Sequence, residues 1–220
     1  MAQLPNNKVA KNKTALSLLI DKFRYGLVLL SLRDALIKLG IEITPFYWMK
    51  EGISVDYKLP VDAAFDEYEF SFFDADDIER ICDLPERSFV SREHVRKIYA
   101  KGTKCYGAKY NGQIAGFSWF DLDECFSRLY KVPMKSNEAY LFDVYVLNEF
   151  RGKNLAPLLR YKIYAILRDM GVDSFYSITE AFNTPSIRIK QKLNAKFVFL
   201  GLYVRLFRKR KKTWILKWYE

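Results

Sequence analysis

Two cations flank a glycine where an apolar stretch gives way to a helical pattern: Arg151-Gly152-Lys153, followed by Asn154-Leu155-Ala156. The stretch before it, Tyr140-Leu141-Phe142-Asp143-Val144-Tyr145-Val146, has the aromatic and β-branched make-up of a strand. A strand, a tight polar turn and a helix start gather several backbone N–H groups at one point. The first turn of a helix leaves those groups without intrahelical partners, and the helix dipole favours negative charge beside them. Arg151 and Lys153 add formal positive charge. The chemistry suited to this arrangement is the grip on a phosphate or pyrophosphate.

Carboxylates are the next groups that could do chemistry. Asp143 interrupts an apolar strand, where a carboxylate needs a task or a partner. A base for proton transfer and an ion pair with a nearby arginine are equally open. Glu180 closes a later strand, either as a base acting through a water or as an exposed loop residue, and Asp121, Asp123 and Glu124 either face an amine or, the more ordinary reading, sit in a surface loop. The single histidine, His94, excludes a multi-histidine metal centre. Three widely spaced cysteines, Cys82, Cys105 and Cys125, form no Cys-x-x-Cys pair, which argues against a disulfide framework or a zinc site. No metal is expected, and a reducing cytoplasmic setting is.

The elements that must position these groups follow from pattern. Half of the 220 residues are hydrophobic and 16% are aromatic, enough for one core with an extension. Strands are expected at 68–73, 104–110, 113–120, 138–147, 174–179, 196–206 and 213–219. Helices are expected at 75–82, 92–100, 155–170 and 185–193. Asn111-Gly112 between two apolar runs predicts a type I′ hairpin turn. Ser91 is placed to cap the second helix and Gly171 to end the third.

Ahead of these lies a helix predicted from Thr14 to Leu39 and stopped by Gly40. Its polar residues, among them Asp21, Arg24 and Lys38, mark a narrow wet face, so the apolar face is broad. That face could dock on the domain, on a second copy in a homodimer, or on a membrane surface as a peripheral contact. The aromatic residues of 41–50 are expected to continue the same contact. Charges break the apolar run too early for a secretory signal. Net charge is +10, with an acidic stretch at 62–86 and a basic one at 205–212, which favours anionic partners. No motif points to nucleic acid.

Arg151-x-x-Asn154-x-Ala156 resembles the Q/R-x-x-G-x-G/A signature of the GNAT superfamily of acyl-CoA-dependent N-acetyltransferases. A second segment, Asn183-Thr184-Pro185-Ser186-Ile187 with Lys192-Leu193-Asn194-Ala195, resembles that family's N-x-x-S/A-I … K-L-G-F run. Two motifs in the right order are more specific than either alone. The resemblance covers residues 67–219. It implies an α/β (α+β) GNAT-like fold, with a central mixed, mostly antiparallel sheet flanked by helices. The domain would occupy residues 61–220, behind an N-terminal extension over 1–60.

The resemblance also implies acetyl-CoA or another acyl-CoA as co-substrate. Backbone groups of Val144, Tyr145 and Val146 would meet the pantetheine arm and the thioester. Arg151, Gly152, Lys153, Asn154, Leu155 and Ala156 would hold the pyrophosphate. Asn154 stands where the family has glycine, and asparagine tolerates unusual backbone angles. Asn183 and Ser186 would help to place the arm, or cap and begin a helix. Seven residues after Asn183, where many members carry a tyrosine acid, this chain has Lys190. A lysine could donate a proton to the leaving thiolate or be a solvated helix charge, with Tyr203 as another acid. Asp143 and Glu180 are the candidate bases. The implied function is transfer of acetyl to a primary amine of a small molecule or peptide by direct attack. A silent CoA-binding module and a membrane-surface protein are the competing readings. The aromatic segments around Trp48, Trp119 and Tyr130 could suit a sugar or an apolar amine acceptor.

Overall fold

Period-two burial and amphipathic helices organise the chain, whose computed structural model describes residues 36–52, 65–207 and 209–219. The strands are β1 (Ile41–Glu51), β2 (Tyr68–Phe72), β3 (Lys104–Tyr110), β4 (Gln113–Asp121), β5 (Glu124–Phe126), β6 (Lys131–Pro133), β7 (Glu138–Val146), β8 (Ser174–Glu180), β9 (Lys196–Leu206) and β10 (Arg210–Trp218). The helices are α1 (Ala75–Cys82), α2 (Arg92–Ala100), α3 (Leu155–Asp169) and α4 (Thr184–Lys192). Asp74 and Ser91 cap α1 and α2 by accepting from Asp77 N–H and His94 N–H, which fixes where both helices begin. Asn111 (φ 48°) and Gly112 (φ 74°) both turn left-handed, as a type I′ hairpin requires.

Eight strands form one sheet in the order β10-β9-β1-β8-β7-β4-β3-β2, and β5 and β6 pair separately. The β2–β3, β3–β4, β4–β7 and β1–β8 pairs are antiparallel, whereas β7 and β8 run parallel. The sheet is therefore mixed and mostly antiparallel, flanked by helices. Its main core packs Leu159, Ile163 and Leu167 of α3, with Ile78 of α1 and Val95 of α2, against Phe117, Trp119 and Phe175 of the sheet. A second cluster joins Phe46, Trp48, Tyr140, Phe199 and Tyr203 to Cys125 and Leu129.

The aromatic run 41–50 does not continue a helical contact: it is β1, inside the sheet and paired with β8 from Phe46↔Glu180 to Glu51↔Phe175. Three buried polar residues, Glu42, Thr44 and Glu51, hide its period-two pattern in the sequence. The helix predicted from Thr14 lies almost wholly outside the described residues, of which 36–38 are helical. Among the described residues no helix is long and apolar enough to cross a membrane.

Contacts divide the chain into two units. One takes in the described residues of 44–203 and 213–219, and the site below lies within it. The other takes in those of 36–43 and 204–212. There Arg205 Nη2 lies 2.7 Å from Glu42 Oε2.

Candidate active site

The site begins with an irregularity in β7. Phe117 pairs with Tyr145, but Trp119 pairs with Phe142, so β7 carries one residue more than β4 over this interval. That extra residue is a β-bulge, and Asp143 within it takes a left-handed backbone, φ 47°. A bulge bends its strand, and β7 leaves β8 here. Their ladder runs through Glu138↔Ser174 and Ala139↔Phe175 and stops at Tyr140↔Tyr176. From Leu141 onward β7 thus has no ladder bonds to β8.

A neighbouring turn braces the bulge. Arg87, buried, donates from both Nη atoms to Asp143, at 2.9 and 2.7 Å. Its guanidinium also covers the rings of Phe117 and Tyr145, at 5.0 and 4.8 Å. Glu86 accepts from the Tyr145 hydroxyl and from Asn148 N–H, each at 3.1 Å. Of the two readings open for Asp143, the geometry supplies the arginine pair, and both carboxylate oxygens are committed to it.

The separation of β7 and β8 opens a cavity of about 630 Å³. Its walls include Asp143, Val144 and Tyr145 from β7, Thr179 and Glu180 from β8, and Asn183, Ser186 and Lys190 from the α4 segment. A second cavity, of about 480 Å³, runs from Val144–Val146 past Arg151, Gly152 and Asn154 to the start of α3. Nearly all the sequence-predicted residues therefore converge on two adjoining spaces. Lys153 lines neither, and its Nζ sits 5.9 Å from the Phe150 ring centroid.

The loop has the form that an anion needs. Asn154 is left-handed, φ 60° and ψ 21°, in the conformation glycine adopts most easily, and its side chain does not cap α3. No acidic residue occupies the first turn of α3, so its N–H groups and dipole stay uncompensated. Gly152 has φ 81°, and nothing lies within 4 Å of where a Cβ would stand. Arg151 Nε donates to Val146 O at 2.9 Å, which fixes the guanidinium against both cavities.

Lys190 is buried rather than solvated. Its Nζ donates to Ile178 O at 3.2 Å and to Thr179 Oγ1, and lies 3.6 Å from Glu51 Oε1. Burial pushes its pKa down to about 8; Glu51 pulls it back up and Arg160 adds to the fall. Burial alone would raise Glu51, but the Arg160 and Lys190 charges outweigh it and hold the carboxyl below its usual range. The Tyr164 hydroxyl donates to Glu51 Oε2, and Arg160 Nε lies 3.8 Å from the same oxygen. Neither Nε nor Nη1 of Arg160 has a hydrogen-bond partner. Two buried cations thus face one buried anion beside the cavity.

Asn183 accepts from Ser186 N–H at 3.2 Å and so caps α4, while both residues line the cavity. Glu180 accepts from Arg128 at 3.0 Å at the open end of β8. Tyr203 belongs to the second core cluster and lines neither cavity. Asp121 is a turn-builder, accepting from Thr103 Oγ1 and from two backbone N–H groups. On the α2 side of Asp143 a further cavity of about 480 Å³ has an aromatic wall of Trp119, Phe126, Tyr140 and Phe142. Trp48 and Tyr130 line a smaller, separate space of about 240 Å³. Another cavity, about 750 Å³, is lined by residues such as Phe72, Phe120 and Met170 and by none of the predicted site residues.

Glu51, Arg87, Arg160 and Thr179 escaped the sequence reading. Two left a trace. Arg160 falls on the apolar face of α3 beside Leu159 and Ile163, and Glu51 ends an aromatic run. A charge at a core position is the signal that finds them.

The model of the family described as Acetyltransferase (GNAT) family matches residues 62–194. No curated protein matches the chain. Among solved structures, a GNAT-family putative acetyltransferase from Novosphingobium aromaticivorans is 18% identical, with TM-score 0.50 over 76% of this chain and 66% of its own. A Drosophila protein is 14% identical, with TM-score 0.52 over 82% and 57%. A conserved protein of unknown function from Staphylococcus epidermidis is 10% identical, with TM-score 0.53 over 79% and 65%. At these identities the likeness is one of fold, and the chain spans less than two thirds of each of those proteins.

Proposed function

Because the chain belongs to the acetyltransferase (GNAT) family, we propose that it is an acyl-CoA-dependent N-acyltransferase that moves acetyl from acetyl-CoA to a primary amine by direct attack. One observation carries the reading: β7 parts from β8 beside an uncapped helix start that has no acidic residue in its first turn. The first α3 N–H groups and Arg151 hold the diphosphate. The backbone of Val144, Tyr145 and Val146, freed from β8, bonds the pantetheine arm and polarises the thioester carbonyl. Asn183 and Ser186 flank the arm. Asp143 works as a positioning residue, since its bond to Arg87 keeps the bulge in shape. Glu180, at the open end of β8, takes the amine proton through a water. Lys190 serves the departing thiolate. The reading needs no metal and fits a cytoplasmic enzyme.

The amine, on a small molecule or a peptide, enters from the aromatic-walled cavity on the α2 side, which meets the central one at Tyr140, Phe142 and Asp143. Asp143, the carboxylate shared by these two cavities, is already neutralised by Arg87. That favours a flat or apolar monoamine over a polycation.

A second reading, a CoA-binding module without turnover, draws on Lys190, which stands in place of a tyrosine and is already bonded to Ile178 and Thr179. Thiol release from acetyl-CoA separates the two. The probes are 2-phenylethylamine, spermidine, glucosamine and a peptide with a free N-terminus. Amine-dependent release, highest with 2-phenylethylamine, is expected. Binding of acetyl-CoA with no release above the amine-free rate would leave only the module.

A further inference from the structure

We propose that Thr179 and Lys190 form a two-step proton relay to the departing thiolate, with the threonine hydroxyl facing the cavity, the lysine behind it and Glu51 anchoring the lysine. The inference rests on the acyl-transfer reading and assigns its acid. Thr179 stands on β8 beyond the last β7–β8 pair, buried to 3% exposure, and lines the central cavity. Its Oγ1 accepts from Lys190 Nζ. A hydroxyl that accepts can still donate, and among the described residues that bond is the whole side-chain hydrogen bonding of Thr179. Its own hydrogen is left for a group in the cavity. Lys190 Nζ carries three hydrogens and has three protein partners, Ile178 O, Thr179 Oγ1 and Glu51, so the proton reaches sulfur by way of Thr179.

The step balances. The amine lone pair forms the N–C bond to the thioester carbonyl, and the C–S bond breaks with its electrons going to sulfur. Thr179 Oγ gives its hydrogen to the thiolate while taking one from Lys190 Nζ. The surplus proton on the new amide nitrogen passes to water beside Glu180, and neutral Lys190 is reprotonated from solvent. The sum is amine plus thioester giving amide plus thiol.

The groups around Lys190 set when it holds its proton. Glu51 approaches from β1, Arg160 and Tyr164 from α3, and Thr179 from β8. Asp143, Tyr145, Arg151, Arg128 and Glu180 share the cavity wall. Lys190 titrates near pH 8, so donation is complete below that pH and lost above it. Removing the Glu51 charge lowers this pKa, and removing the Arg160 charge raises it.

Steady-state thiol release with saturating acetyl-CoA and the amine panel tests the relay, alongside calorimetric acetyl-CoA affinity. Thr179→Val keeps the branched shape and removes the hydroxyl. It is expected to cut kcat about 100-fold or more while affinity stays within about twofold, and Thr179→Ser is expected to restore most of the rate. In pH profiles, E51Q moves the basic limb below that of the wild type and R160Q moves it above, a pair of opposite shifts that loss of packing does not produce. Wild-type kcat in Thr179→Val, or an equal loss in the valine and serine variants, overturns the relay while leaving acyl transfer standing. Wild-type protein that binds acetyl-CoA and releases no thiol with any of the amines overturns the transfer reading, and the relay with it.

Discussion

Lysine on a helix is ordinarily a solvated charge; at position 190 it is buried beside another cation and a single carboxylate. This asymmetry orders the effects of substitution. Lys190→Met leaves Glu51 balanced by Arg160, whereas Glu51→Gln leaves two buried cations with no anion. Breaking a buried pair by removing one partner costs about 3–5 kcal/mol, so Glu51→Gln is expected to lower the unfolding free energy by that amount and Lys190→Met by less, each read from a lower urea midpoint. The reverse order in urea titrations would refute the charge count of the cluster. At the anion loop, Arg151→Glu turns an attraction into a repulsion. A charge-assisted hydrogen bond is worth about 1.5–3 kcal/mol, so acetyl-CoA affinity is expected to fall by about 10- to 100-fold in calorimetry. The left-handed backbone at Asn154 was legible, because few residues besides glycine tolerate it. The pairing of Asp143 with Arg87 was not, because the two are 56 residues apart and only the fold brings them together.

Among the elements, those shaped by local periodicity read most clearly. The helices over 75–82 and 92–100 begin at Asp74 and Ser91 caps and end where expected, since capping and amphipathic spacing are local signals. β1 was hidden by its buried polar residues, and β5 and β6 by their three-residue length. The bulge in β7 was invisible too, because an aspartate in an apolar run does not announce a left-handed backbone. Yet the bulge makes the site, and β4 is fitted to it. A Cβ on Gly116 would stand 2.9 Å from Tyr145 O, closer than real Cβ atoms come, and 3.1 Å from Val146 Cγ2, tighter than most real contacts. Gly116→Ala is therefore expected to push β7 out of register with its cradle, at a cost of about 1–3 kcal/mol. Thermal unfolding and acetyl-CoA titration check it together: a lower Tm with weaker binding is expected, and unchanged affinity would mean that the opening does not depend on how closely β4 approaches.

For the molecule as a whole, a net charge of +10 should draw in a polyanionic co-substrate. Raising ionic strength from about 0.01 to 0.15 M shortens the Debye length from about 30 to about 8 Å. Stopped-flow association of acetyl-CoA is expected to slow several-fold over that range, and a flat rate would show that the charge is spread too diffusely to steer. Membership of the acetyltransferase (GNAT) family was legible in two short motifs, because the left-handed turn into α3 and the asparagine cap of α4 are written in consecutive residues. The proposed acceptor cavity was not, because Trp119, Phe126, Tyr140 and Phe142, which wall it, look in sequence like any core. The central claim is that the turn from β7 into α3 holds a diphosphate, and one comparison tests it most directly. Calorimetric titration of the full chain with acetyl-CoA and with S-acetylpantetheine, which carries the same thioester and no diphosphate, is expected to give saturable binding of the first and at least tenfold weaker binding of the second. Equal affinity for the two, or no binding of acetyl-CoA by folded protein, would contradict it.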